Sequence, residues 1–135
     1  MRRSQHFRRF LKGAGRPGKL LDVGCGYGFF LRLAQEAGWE AIGVDPDPQA
    51  VAYARSTLRV EALQGDLRDL DFADHSFDLV TLWNVLDYVP DPIPLSIVSS
   101  LAKLTVHGLT QGVSILLGGR RLIGPSLAAY GRREG

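Results

Sequence analysis

The feature that most constrains this chain is a short apolar run, KLLDV over residues 19–23, that passes directly into Gly24-Cys25-Gly26-Tyr27-Gly28 and then into an amphipathic stretch over 29–37. Glycines at such a junction let the backbone turn sharply and approach a ligand with no Cβ in the way. The helix start beyond them offers N–H groups with no partner inside the helix. A strand, a glycine turn and a helix in that order form a candidate nucleotide cradle on a parallel sheet. The plainer reading is a tight turn joining two elements.

Further along, apolar runs predict strands over 41–44, 60–63, 77–82 and 113–117. Helical spacing predicts helices over 3–12, 49–56 and, despite Pro94, 92–106. Strands and helices that alternate in this way specify an α/β fold, a Rossmann-like, doubly wound and mostly parallel sheet, because parallel strands need crossover connections. A length of 135 residues suits one domain. It divides into an N-terminal basic helix (1–18), a cofactor-binding core (19–92) and a divergent C-terminal segment (93–135).

The charge is unevenly distributed. Residues 1–91 hold 13 acidic and 11 basic side chains, whereas 92–135 hold one acid and five bases. The net charge of +2 gives no support to nucleic-acid binding. In the helix at 3–12, Phe7, Phe10 and Leu11 lie among Arg8, Arg9 and Lys12. Those cations read first as a solvated face and second as a contact for an anionic acceptor. No run approaches the roughly 18 apolar residues of a membrane span, and no signal-peptide core is evident, so the expected location is cytoplasmic. The lone Cys25 cannot form an internal disulfide, and no metal site is implied. Cys25 has no His or Asp placed by sequence to activate it, and His6, His75 and His107 are isolated.

Two acids extend the cradle. Asp45 follows the second strand, 17 residues beyond Gly28, where a carboxylate can accept hydrogen bonds from both ribose hydroxyls of an adenosine group. It can equally cap the helix that follows, as can Asp47, and Pro46 and Pro48 stiffen this corner. Asp66, in Gly65-Asp66-Leu67 after the third strand, is placed to meet the adenine. Turn, acid and acid at successive strand ends make a coherent adenosine site. A dinucleotide fits less well, because the third glycine of its GxGxxG pattern would fall at Phe29.

LLDVGCGYGFFLRLAQEAGWEAIGVDPDP (20–48), QGDLRDLDF (64–72) and FDLVTLWNVLDYVPDP (77–92) together closely resemble the small class I S-adenosylmethionine (SAM)-dependent methyltransferases of bacteria. The resemblance implies that Asp22, Gly24, Cys25, Gly26 and Gly28 line the methionine end of SAM. It implies that Asp45, beside Pro46, holds the ribose and that Asp66 with Leu67 frames the adenine. Trp83 and Asn84 would border the methionyl portion and the methyl-transfer face.

Many relatives carry a Glu-His pair where this chain has Asp87-Tyr88, so no catalytic residue is assigned. The implied function is methyl transfer to an unidentified acceptor, with a small molecule favoured. The alternatives are a SAM-binding module without catalysis of its own and a dinucleotide-binding protein. After Pro92 the resemblance fades, and a turn at 108–112 and a strand at 113–117 leave too little chain for the last two strands of the family. The tail reads as truncated or divergent. An open edge on the strand at 113–117 would favour a homo-oligomer.

Overall fold

The computed structural model describes residues 2–83, 100, 102–109, 112–117 and 120–122, with side chains described over 3–83 and at 100. A seven-stranded sheet organises them. Its strands are β1 (Lys19–Val23), β2 (Glu40–Asp45), β3 (Glu61–Gln64), β4 (Phe77–Trp83), β5 (Ala102–Leu109), β6 (Gly112–Leu117) and β7 (Arg120–Leu122), in the order β3-β2-β1-β4-β5-β6-β7. The pairs from β3 through β5 are parallel, and β6 and β7 are antiparallel to their neighbours.

The strand order reverses between β1 and β4. In open α/β sheets that reversal opens a crevice beyond the carboxyl ends of the strands, where ligands bind. The glycine turn leaves the end of β1 and Trp83 ends β4, so both stand at this crevice.

β1 is central because it is apolar toward both faces of the sheet. Leu20 and Leu21 are wholly buried and Val23 nearly so. On one face Leu20 and Leu79 pack with Leu11 of α1 (Arg2–Gly13), Phe30, Leu31 and Ala34 of α2 (Phe29–Glu36), and Val51 and Ala54 of α3 (Pro48–Ser56). On the other, Leu21, Val23, Val44, Val80 and Leu82 pack with Leu67, and Leu70 and Phe72 close the edge of that cluster. Each such aliphatic side chain, fully buried, contributes roughly 1.5–3 kcal/mol.

Local chemistry sets the helix starts. Asp47 caps α3, its carboxylate accepting from the Gln49 amide at 2.9 Å, and Pro48 occupies the first turn, where its missing N–H costs nothing. Gly28 begins α2 in the left-handed conformation and supplies no side-chain cap.

The elements expected over 19–83 are present with boundaries within one or two residues. The C-terminal third differs. The helix expected over 92–106 cannot reach Val106, because Ala102–Leu109 is strand β5, paired in parallel with β4 from Phe77↔Ala102 to Trp83↔Gly108. The sequence Lys103-Leu104-Thr105-Val106 alternates polar and apolar, a period that suits a strand. Residues 92–99 of that expected helix lie outside the described residues.

The turn expected at 108–112 is correspondingly a hairpin closing from Leu109 to Gly112. The last strands expected to be missing are supplied by short antiparallel pairings. The strand at 113–117 is bordered by β5 on one side and β7 on the other, so it does not present the open edge that favoured a homo-oligomer.

Candidate functional site

The turn is built from glycines that do different jobs. Gly24, Gly26 and Gly28 have φ of 72°, 55° and 86°, in the left-handed region. The Gly24 and Cys25 amides both donate to the Val44 carbonyl, at 2.7 and 3.1 Å, which ties the turn to the end of β2. A Cβ on Gly28 would lie 2.9 Å from the Ala54 Cβ and 3.0 Å from the Val60 Cγ2, so Gly28 lets α2 seat against α3 and β3. A Cβ on Gly26 would meet no atom of the described residues within 4 Å. Packing among the described residues does not demand a glycine at Gly26 and leaves space there for a ligand.

Asp45 links the turn to the next loop. Its Oδ2 accepts from the Gly26 amide at 2.8 Å and its Oδ1 from the Asp47 amide at 2.9 Å, while the residue keeps partial exposure. Pro46 follows it on the surface. Helix capping falls to Asp47, so Asp45 is left to organise the turn.

Asp22 lies directly below the turn with 2% of its surface exposed. It is in register with Thr81 on β4, whose hydroxyl donates to the Asp22 Oδ1 at 2.7 Å. Burial raises the Asp22 carboxyl from 3.8 to about 7; the Thr81 bond opposes that shift and the nearby negative Asp45 adds to it. The same surroundings push the Cys25 thiol up to about 12, through burial first and then the two acids. Cys25 is therefore no nucleophile; its Cβ and Sγ pack against Gly43, where a Cβ would come within 2.6 Å of both atoms.

A cavity of about 520 Å³ opens over this floor. Asp22, Gly24, Cys25 and Tyr27 border it from β1 and the turn, Phe29, Phe30 and Leu33 from α2, and Trp83 from β4. α1 also borders it, with Arg3, Ser4 and Phe7. The indole of Trp83 stacks against Phe7, Phe10 and Phe30 with ring centroids 4.8–5.2 Å apart. Its buried Nε1 has no hydrogen-bond partner among the described residues.

The expected site residues divide accordingly. Asp22, Gly24, Cys25 and Trp83 share the cavity, and Gly26 and Asp45 join it to the end of β2. Asp66 stands apart, at the end of β3. Its carboxylate is held by Arg68, from Nε at 2.9 Å and Nη2 at 2.7 Å, and this pairing lowers its pKa. The Leu67 side chain is buried in the second core, which leaves only its backbone for a ligand. Asn84, Asp87 and Tyr88 lie outside the described residues. What sequence reasoning missed is α1: its amphipathic spacing predicted a helix, but not that its apolar side would wall the cavity.

The residues present fit SAM. Two carboxylates beside an open glycine turn suit a ligand that brings positive charge, as the sulfonium and ammonium of SAM do. They would repel the pyrophosphate of a dinucleotide. Among the described residues no group of three or more His, Cys, Asp and Glu is placed to hold a metal ion.

Comparison with known proteins agrees. The methyltransferase domain family matches residues 20–108. The chain is 33% identical over 109 residues to a ubiquinone biosynthesis O-methyltransferase of Methylococcus capsulatus, covering 76% of this chain and 44% of that protein. Among solved structures it resembles the PH0226 protein of Pyrococcus horikoshii, with a TM-score of 0.67 at 29% identity over 76% of this chain and 53% of that one. It also resembles a SAM-dependent methyltransferase of Archaeoglobus fulgidus, with a TM-score of 0.64 at 27% identity over 77% and 50%. The chain thus spans less than half the length of the curated relative. With the family's domain matched over 89 of its 135 residues, this chain belongs to the class I SAM-dependent methyltransferases.

Proposed function

We propose that this chain binds SAM across the carboxyl ends of β1, β2 and β4 and transfers its methyl group to a small-molecule acceptor. The observation that carries the reading is the pairing of an open glycine turn with Asp22 and Asp45 at the point where the strand order reverses. When bound, SAM supplies a methyl group that its sulfonium already makes electrophilic.

The protein's share is positioning. Gly24, Cys25 and Gly26 form the cradle for the methionine end. Asp22 offers a carboxylate toward an ammonium. Asp45 has a free lone pair on each oxygen for ribose hydroxyls, beyond those its two amide bonds use. The backbone at Asp66 and Leu67 borders the adenine. Phe7, Phe29, Phe30 and Trp83 exclude water from the cavity and give an acceptor an apolar surface to lie on. Holding the acceptor in line at near-attack distance supplies most of the rate such a transfer needs. No group of the described site is assigned as a general base.

The aromatic wall favours a small apolar acceptor over nucleic acid. The relative named as an O-methyltransferase makes a hydroxyl a natural first atom to try. No helix among the described residues is long and apolar enough to cross a membrane. The lone buried cysteine suits a reducing compartment such as the cytoplasm.

The test is formation of S-adenosylhomocysteine over a panel of phenols, other hydroxyl compounds, amines and thiols. Turnover with one class supports methyl transfer and names the acceptor. Tight cofactor binding with no turnover on any class identifies a SAM-binding module without catalysis of its own.

A further inference from the structure

Helix α1 has two sides, and only one of them borders the cofactor cavity. The other borders a separate hollow of about 510 Å³, through Gln5, His6, Arg8, Arg9 and Lys12. That volume falls within the roughly 300–1,000 Å³ of small-molecule sites. The charge around it has one sign, because residues 1–21 hold seven basic side chains and no acid. Arg8 is paired with Glu36 at 3.1 Å, whereas Arg9 and Lys12 are exposed and form no ion pair among the described residues. Three residues apart, these two cations are neighbours on one helix face, and an anion between them would relieve their repulsion.

His6 links this hollow to the site already described. It borders the hollow, and its ring stands edge-on to Trp83 with centroids 6.1 Å apart. Trp83 ends β4 and borders the cofactor cavity, so the hollow lies one side chain away from the aromatic surface offered to an acceptor. The helix is anchored by its other side, where Phe7 and Phe10 pack on Phe30 and Trp83 and Leu11 is buried. Arg9 and Lys12 take no part in that anchoring.

We infer that the hollow receives an anionic group of the methyl acceptor, a carboxylate or a phosphate carried on an aromatic body, with Arg9 and Lys12 as its charged contacts. This rests on the methyl-transfer reading and narrows its acceptor class. The apolar body lies on the aromatic surface at Trp83, and the charged group reaches past His6. Gln5 and His6 add hydrogen-bonding groups beside the two cations. A recess of this size suits one small anion better than a nucleic-acid duplex or a bilayer, each of which needs an extended face.

The test is calorimetric titration of the chain, saturated with S-adenosylhomocysteine, with benzoate, phenyl phosphate and the neutral benzamide. The proteins are the unaltered chain, the double variant Arg9→Gln/Lys12→Gln, and Arg16→Gln, which removes an exposed cation beyond the end of α1 and away from the hollow. The expected result is that one or both anions bind the unaltered chain at least tenfold more tightly than benzamide, the gain typical of charge-assisted hydrogen bonds. The preferred anion tells a carboxylate site from a phosphate site. The double variant brings the ratio within twofold and leaves S-adenosylhomocysteine affinity within twofold, while Arg16→Gln keeps the ratio. Added salt shrinks the preference in the unaltered chain. Melting curves of the variants without ligand should match the unaltered chain, since all three side chains are exposed.

Equal affinity for the anions and benzamide in the unaltered chain overturns the assignment and leaves the SAM reading intact. So does a ratio that Arg16→Gln lowers as much as the double variant does. Micromolar binding of a DNA duplex or of phosphatidylglycerol vesicles, lost in the double variant and without any preference for the small anions, also overturns it and gives the face to a macromolecular surface. If the unaltered chain does not bind S-adenosylhomocysteine, the SAM reading itself fails, and the acceptor site fails with it.

Discussion

The Asp45 carboxylate accepts the Gly26 amide at 2.8 Å, so the acid at the end of β2 fixes the glycine turn at the end of β1. A second bond, from the Asp47 amide to the other oxygen, ties that acid to the loop leading into α3. Asp45→Ala removes both. Two hydrogen bonds at a partly exposed carboxylate are together worth roughly 1–3 kcal/mol, and chemical denaturation should show a loss in that range. S-adenosylhomocysteine binding should fall further, by about tenfold beyond the stability effect, because the variant loses the ribose acceptor and the turn geometry together.

The glycines separate folding from binding. Gly28→Ala places a methyl against Ala54 and Val60 at a φ of 86°, so the variant should lose roughly 2–4 kcal/mol from left-handed strain and overpacking combined. Gly26→Ala meets open space at a φ of 55° and should lose only about 1–2 kcal/mol. Affinity should rank the two the other way. Folded Gly26→Ala binds S-adenosylhomocysteine at least tenfold more weakly, since the methyl projects where the ligand lies. Urea unfolding and calorimetry on the same samples check both orders.

Much of this was legible in the sequence because the chemistry there is local. The apolar run of β1 meeting three glycines, and an acid closing β2, give the cradle without knowledge of any contact. The partner of Asp22 was not legible: Thr81 stands 59 residues away and meets it only because β1 and β4 pair in register. The wall of the cavity was equally hidden, since the spacing of Phe7 and Phe10 predicts an apolar helix side but not its docking on Trp83. Asp66 is expected from the sequence to meet the adenine, whereas in the structure Arg68, two residues on, binds its carboxylate. Strand β5 departs from the helix expected over 92–106 because Lys103-Leu104-Thr105-Val106 alternates with the period of two that pairing with β4 uses.

Asp22 should make stability fall with pH. Its carboxyl titrates near 7 in the folded chain and near 3.8 when exposed, so between those values the folded state holds a proton that the unfolded state has released. Its contribution is complete below about pH 4 and is lost as pH rises through 7. Asp22→Asn cannot ionise and can still accept the Thr81 hydroxyl. Relative to the unaltered chain, the variant should therefore gain stability between pH 4 and 8, by as much as a few kcal/mol at the upper end. Urea midpoints at pH 4.5, 6 and 8 measure the trend, and a flat difference across that range would show that Asp22 is not raised.

Cys25 should be slow to react. A thiol buried beside two acids and titrating at about 12 holds almost no thiolate at pH 8, whereas an ordinary cysteine holds a substantial fraction. Alkylation by iodoacetamide at pH 8, followed by mass spectrometry, should run at least tenfold slower in the folded chain than in urea, consistent with a cysteine that packs against Gly43 and performs no chemistry.

The central claim is that the turn at 24–28, flanked by Asp22 and Asp45, is a site for a cationic adenosyl ligand. Calorimetric titration of the unaltered chain with S-adenosylmethionine and, separately, with NAD tests it most directly. The account predicts one S-adenosylmethionine per chain with a dissociation constant in the micromolar range, binding that collapses in Asp45→Ala, and no measurable NAD binding. Comparable or tighter binding of NAD, or S-adenosylmethionine binding that Asp45→Ala leaves unchanged, would contradict it.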